Sequence, residues 1–240
     1  KENGRMIYFS SCLNRAFAPS AQAKDKRSIA EVFENLCKKA RFSVIYPPNI
    51  EELCCSKAYK NHPKIANKLA KQAYQSLLQA SENAAIPIVC DHSACSLELL
   101  KIITDFARQN NTKPLKILDM PAFIQEYLSP LLQFIPNAQK VALYAPCSTR
   151  NLSTKAESSK SCNWEEAIFA LARLCGANIA YDSNVKCCGF AGNKGFLTPE
   201  LNKSALEYFG EHNGKSLFSD VKQGYSSSST CEIGLSDRSG

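Results

Sequence analysis

The sequence contains no apolar run near the ~18 residues that cross a bilayer. Its start, KENGRMIYFSS, has no apolar core followed by a small-residue cleavage site. A soluble, unexported chain with a cytoplasmic location is therefore expected. The sequence also opens without Met and runs almost at once into a strand-like segment, which suggests a piece of something longer. Histidine is scarce: His62, His92 and His212 have no mutual spacing that marks a metal site, and His92 reads first as a solvated loop residue that could tune a neighbouring site. Runs of one charge are missing as well. Lysine and arginine exceed aspartate and glutamate by 29 to 22, a net charge of +7, but they are spread along the chain, so no nucleic-acid partner is expected. A mildly positive surface suits an acidic protein or peripheral contact with an anionic membrane face. The short stretch GNKGF has too few glycines in the right places for a phosphate loop, which leaves Lys194 as a surface charge.

What is present is ordinary globular composition, 45% apolar and 21% charged over 240 residues, which suits one large or two small domains. RMIYFSSC, FSVIYP, IPIVCD and LKILDM read as short buried strands. SIAEVFENLCKKA places Ile29, Val32, Phe33 and Leu36 on one helical face, and KIANKLAKQAYQSLLQA does the same with Ile65, Leu69, Ala73 and Leu77. SLELLKIITDFARQ and PAFIQEYLSPLLQ are further helices. The order then recurs: strand KVALYAPC, helix NWEEAIFALARLCG, strand NIAYDS, helix TPELNKSALEYFGE and strand KSLFSD. The expected fold class is α/β, with two pseudo-repeated parallel-sheet units and flanking helices.

Twelve cysteines mark the repeat. Cys12 comes first, the adjacent pair Cys54 and Cys55 follows, and Cys95 completes the first set. Cys147, the adjacent pair Cys187 and Cys188, and Cys231 repeat that order at nearly the same intervals. Matching cysteines differ by 135, 133, 133 and 136 positions, the mark of an internal duplication. The first repeat is placed at 1–136 and the second, C-terminally shorter, at 137–240, with the break near Ile135 to Lys140.

In each copy one cysteine closes the first strand, two follow a later strand, and the last lies at the next turn. Parallel strands share one rim at their carboxyl ends, where open α/β sheets place ligands. Helices that begin there aim free N–H groups at the same spot and favour an anionic centre. An iron–sulfur cluster held by four thiolates is such a centre. Neighbouring side chains on an extended strand point to opposite faces, so both thiols of a pair reach one cage only from a tight turn, for which Gly189, Gly192 and Gly195 supply the freedom. A four-cysteine zinc site on a docking scaffold is the alternative, although zinc knuckles usually space paired ligands two to four residues apart. Of the remaining cysteines, Cys37 and Cys175 read as small core residues. Cys162, before the N-cap Asn163, has a local role, and Cys90 ends an apolar strand as core or stands as a fifth thiol near the first site.

The segments YFSSCLNRAF, CCGFAGNKGFLTPELNKSAL and SSSSTCEIGLS resemble the tandem cysteine-rich CCG domains at the C-terminal end of bacterial FAD-linked D-lactate dehydrogenases, with glycolate oxidase iron–sulfur subunits and heterodisulfide reductase B subunits further off. The resemblance implies iron–sulfur clusters, one 4Fe–4S centre per repeat, on Cys12, Cys54, Cys55, Cys95 and on Cys147, Cys187, Cys188, Cys231. It also implies FAD on sequence outside this chain. Partners would be that FAD domain, a ferredoxin-like segment, and a quinone or other acceptor; the hydroxy acid itself would be oxidised elsewhere. Heterodisulfide reductases carry a further cysteine three residues after the fourth, where this chain has Glu98 and Gly234. That difference speaks against a disulfide-cleaving subunit, which would need Cys90 as its extra ligand. The first copy reads Cys54-Cys55-Ser56 where the motif has glycine.

Overall fold

The computed structural model describes residues 1–19, 23, 25–155, 163–192, 194–212 and 215–239. The chain divides into two units, Lys1–Leu132 and Gln133–Gly240.

In the first unit, β1 (Gly4–Phe9), β2 (Phe42–Ile45), β3 (Ile88–Cys90) and β4 (Ile117–Asp119) form a parallel sheet of order β2-β1-β3-β4. The register sets Phe9 opposite Cys90 and Cys90 opposite Asp119, so the carboxyl ends of three strands are level. Helices α1 (Cys12–Ala16), α2 (Ile29–Lys39), α3 (Pro63–Ala80), α4 (Ser93–Gln109) and α5 (Met120–Phe123) connect them. Strand β1 is buried on both faces, as a central parallel strand should be. Ile7 and Phe9 pack among Ala73, Tyr74 and Leu77 of α3 and Leu99 and Ile103 of α4. On the opposite face, the Tyr8 ring lies 5.2 Å from Phe33 of α2, and Phe33 lies 6.1 Å from Phe123 of α5. Helix α2 opens with a reciprocal cap, in which Ser28 Oγ accepts from Glu31 N and Glu31 Oε2 accepts from Ser28 N.

Two residues expected on buried faces are exposed, Ile29 at 42% and Ile65 at 47%. Both stand in the first turn of their helices, and only later turns enter the core: Phe33 and Cys37 in α2, and Ala70, Ala73, Tyr74 and Leu77 in α3. The single helix expected from Pro121 onward is instead a run of α5, a wide π turn over Ile124–Leu128 and a 3-10 turn over Ser129–Leu131. Pro130 has no N–H to carry a helical ladder onward, and the run ends at Leu131.

In the second unit, β5 (Lys140–Tyr144), β6 (Asn178–Ala180) and β9 (Gly224–Ser226) form a parallel sheet of order β6-β5-β9. Its helices are α6 (Cys147–Lys155), α7 (Trp164–Leu174), α8 (Lys194–Leu197), α9 (Pro199–Ala205) and α10 (Ser229–Ser239). Leu143 and Ala145 pack with Ile168 of α7, whereas Tyr144 points among Val185, Cys188, Phe190, Leu206 and Cys231. The segment KSLFSD, expected as a sheet strand, gives only β8 (Lys215–Ser216), paired antiparallel with β7 (Glu211–His212). The third sheet strand is β9, which the hydrophobic pattern does not announce. Both sheets place their first strand in the middle. The pairings Ile7 with Ile88 and Ala142 with Gly224 are offset by 142 − 7 = 135 and 224 − 88 = 136 positions, the offsets seen between the cysteines.

No helix among the described residues is long and apolar enough to cross a membrane.

Candidate metal centre

Both sets of four cysteines come together at the carboxyl ends of the strands, and the same devices place them. In the first unit Asp91, just past β3, accepts from Ser11 N at 2.8 Å and from Tyr8 Oη at 2.8 Å, which pins the turn before Cys12. Asn14 donates to Asp91 O at 3.1 Å. In the second unit Thr149 and Ser227, at the positions matching Asn14 and Asp91, have hydroxyl oxygens 3.4 Å apart. Cys12 and Cys147 each open a helix, and Cys95 and Cys231 lie in the first turns of α4 and α10. The amide of Cys95 donates to His92 O at 2.8 Å, so its thiol sits at the positive end of a 17-residue helix.

The adjacent cysteines owe their shape to the residue that follows them. Ser56 and Gly189 both have left-handed backbones, φ 65° and 70°. Beside that bend the amide of the same residue stands at the first thiol: Ser56 N lies 3.4 Å from Cys54 Sγ, and Gly189 N lies 3.3 Å from Cys187 Sγ. Glycine adopts this conformation freely, while serine holds it at a cost of about 1 to 2 kcal/mol. The first copy thus departs from the glycine motif in sequence and keeps its conformation. Gly195 has a different use from the one expected. It lies in α8 against Phe190, whose ring atoms a Cβ would meet at 2.4 Å.

An arginine three residues after each leading cysteine holds the loop before the pair, a feature the sequence reading missed. Arg15 donates through Nη2 to Leu53 O at 2.8 Å and through Nη1 to Ile50 O. Arg150 donates to Ala145 O at 2.9 Å and to Lys186 O. Arg15 and Arg150 are 135 positions apart, and Leu53 and Lys186 are 133 apart, so the cysteine offsets alone would have found this clamp. Arg150 also lies 5.9 Å from the centre of the Tyr144 ring.

Within each set the thiols form a chain. The Sγ atoms of Cys55 and Cys95 are 3.2 Å apart, and those of Cys188 and Cys231 are 3.1 Å apart. Cys12 is pushed well up by donating to Cys54, and Cys147 well up by donating to Cys187. Cys55 is held low by hydrogen bonds from Cys54 and Cys95, and Cys187 is held low by Cys147 and Cys188. In both sets the last two thiols are buried. Cys12 and Cys187 are exposed, while Cys54 and Cys147 are half-buried.

Four sulfur donors, helix starts and amides aimed at sulfur match the chemistry of a thiolate-held metal or cluster. The spacing is that of thiols in mutual contact. Two thiolates on one tetrahedral zinc stand about 3.8 Å apart, from a Zn–S length of about 2.3 Å. Among the described residues no three His, Cys, Asp or Glu side chains surround one point. The residues fit such a group in kind and placement, and ligation requires the closed pairs to open. Residues 6–100 match the family model of the CCG cysteine-rich domain. The matched segment contains Cys12, Cys54, Cys55 and Cys95. No curated protein matches the chain.

Residues outside the two sets also have definite places. Cys90 is core at the end of β3 and also hydrogen-bonds Cys95; Ser226 occupies the matching place in the second unit. His92 is 2% exposed, contrary to the solvated loop expected. Its pKa is pushed down to about 4, first by burial and then by Lys57. Cys175, expected in the core, is exposed because it is the C-cap of α7, where Gly176 turns the chain with φ 73°. Asn163 caps α7 by accepting from Glu165 N and Glu166 N; Cys162 lies outside the described residues.

Proposed function

We propose that this chain is the iron–sulfur electron-transfer region of an FAD-linked D-2-hydroxy-acid dehydrogenase, with D-lactate as the acid. The CCG match and the sulfur-rich, duplicated sites support an electron-transfer role. The identity of the parent enzyme rests on the resemblance of the three quoted segments. The observation that carries the reading is that each unit builds the same four-thiol arrangement with the same arginine clamp and left-handed turn.

In this reading Cys12, Cys54, Cys55 and Cys95 hold one cluster, and Cys147, Cys187, Cys188 and Cys231 hold the other. When bound, such a cluster accepts and releases single electrons at a potential set by its surroundings. Arg15 and Arg150 fix the paired cysteines, and the amides of Ser56 and Gly189 donate to sulfur. Cys55, Cys95, Cys188 and Cys231 sit away from water, while Cys12 and Cys187 face it. Electrons from the flavin domain would pass through these sites to a quinone or other acceptor.

The test is iron and acid-labile sulfide per chain after reconstitution without oxygen, with an EPR spectrum. About eight of each and a reducible signal are expected for two four-iron clusters. Cys188→Ser should lose about half of both, and in the full enzyme it should slow acceptor reduction while substrate still reduces the flavin. Zinc in place of iron, or unchanged acceptor turnover in Cys188→Ser, overturns the proposal.

A further inference from the structure

From Leu53 to Ser81 the chain contains no aspartate or glutamate, although the whole sequence has 22; the same stretch contains Lys57, Lys60, Lys64, Lys68 and Lys71. The folded chain collects what the sequence spreads out. Lys64, Lys68 and Lys71 stand at helical positions i, i+4 and i+7, which superimposes them on one face of α3, away from the buried Ala70, Ala73, Tyr74 and Leu77. All three are exposed, and none has an ion-pair partner among the described residues. Lys57 and Lys60 continue the row on the 3-10 turn Lys57–Tyr59, which packs on α3. Lys60 is anchored to Glu98 at 2.9 Å.

This row begins at the first thiol site. The amide of Lys57 hydrogen-bonds Cys55, two residues away, and its charge is felt at His92. The site is open to water through Cys12 and Cys54. Tyr59 and Ile65, both more than a third exposed, add apolar surface among the lysines. A cationic rim with apolar contacts beside an accessible redox site has the composition of a transient docking surface. There, charge speeds encounter and a small apolar contact holds the pair briefly.

We propose that the lysine face of α3, with Lys57, Lys60, Tyr59 and Ile65, docks a small electron-carrier protein whose surface around its own redox centre is acidic. This inference rests on the electron-transfer reading for its purpose and on charge complementarity for its geometry, and the two are tested separately. The probe is an acidic [2Fe–2S] ferredoxin. Its binding to the cluster-free chain is followed by NMR shift changes, and its electron exchange with the reconstituted chain by stopped flow. The variant is Lys64→Glu/Lys68→Glu/Lys71→Glu. The control, Lys113→Glu/Lys215→Glu/Lys222→Glu, makes the same charge change at exposed positions elsewhere.

At low salt the α3 variant should lose about tenfold to a hundredfold in association rate and the control much less, with the difference shrinking as salt rises. Equal binding by the α3 variant and the control overturns the proposal. So does a variant that loses adsorption to anionic phosphatidylglycerol vesicles while ferredoxin binding is unchanged, because the face then belongs to a membrane. If binding shows the expected charge and salt dependence but no electrons pass, the docking surface stands and the electron-transfer reading falls.

Discussion

Replacing Gly189 by alanine should damage the second site far more than the size of a methyl group suggests. Gly189 has φ 70°, and a Cβ built on it would stand 2.3 Å from Leu201 O, 2.7 Å from Ala205 Cβ and 2.8 Å from Asn202 Cα. Two of those atoms are α9 backbone, so the clash is relieved only by moving the helix. The left-handed backbone costs a non-glycine residue about 1 to 2 kcal/mol. Overpacking against a fixed neighbour adds about 1 to 3 kcal/mol. The expected loss is therefore about 2 to 5 kcal/mol, a large part of an ordinary domain's stability. Moving α9 would also disturb Asn202, which donates to Cys188 O at 2.7 Å and Gly234 O at 3.1 Å and so ties the paired cysteines to α10. Trp164, the only tryptophan, is 2% exposed at the start of α7 and reports on this unit by fluorescence during urea unfolding. Ser56→Gly is the matched control. It relieves a left-handed serine and should leave stability unchanged or raise it by up to about 1 kcal/mol, the glycine entropy cost offsetting part of the gain. A Gly189→Ala chain that unfolds within about 0.5 kcal/mol of the parent would refute the steric argument.

Arg150→Lys keeps the charge but can reach only one of the two carbonyls. It should loosen the turn before Cys187 and raise the rate of Cys187 modification by a thiol reagent several-fold, with no such change at Cys54; equal rates would refute the clamp. Asp119 is 1% exposed, its Oδ1 accepts from Ser96 at 2.7 Å, and its Oδ2 has no hydrogen-bond partner among the described residues. Burial pushes its pKa up from 3.8 to about 7, with Ser96 opposing and Asp91 adding. Because the folded value lies above the unfolded one, the contribution to stability is fully present below about pH 4 and is lost as pH rises through 7. At about 1.4 kcal/mol per unit, the chain should lose up to about 4 kcal/mol over that range relative to Asp119→Asn. Hydrogen exchange in peptides covering β3 and β4 measures the difference, and a gap constant between pH 4 and 8 would refute it.

The fold was legible where burial is two-sided and apolar. Strand β1 carries Met6, Ile7, Tyr8 and Phe9 in succession, and no polar alternation confuses its assignment. Strand β9 was not legible, because Gly-Tyr-Ser carries almost no hydrophobic signal, and its pairing comes from its neighbour β5. The repeat would have found it, since β3 advanced by 136 positions is 224–226. Helical periodicity located α2 and α3 but put Ile29 and Ile65 inside, since a period fixes a face and does not fix how many turns of it reach the core. The cysteine spacing picked out eight candidate residues from twelve. The apolar pattern could not reveal the arginine clamp, because an arginine bonding main-chain carbonyls leaves no mark in it; the cysteine offsets, carried from Arg15 to Arg150, would have. His92 was misread for a similar reason: its burial follows from its place between β3 and the first turn of α4, a tertiary fact.

The thiol pairs in contact are weaker grounds for a ligand than the structures that support them. Buried cysteines meet in many cores as small apolar residues, and Cys37 in α2 is one here. A serine held at φ 65° is a different matter, because the left-handed backbone costs a non-glycine residue about 1 to 2 kcal/mol. Strain of this kind persists where the surroundings impose it, and such places cluster at functional sites. Ser56 carries this strain where its amide stands at Cys54 Sγ, and glycine takes the same conformation at the matching place in the other unit. The clamp argues the same way: Arg15 and Arg150 each give one donor to the carbonyl directly before the paired cysteines, Leu53 O and Lys186 O. Two units that differ at most positions, yet keep the bend, the amide and the arginine, share a requirement on where four sulfurs stand, which supports the proposed metal or cluster.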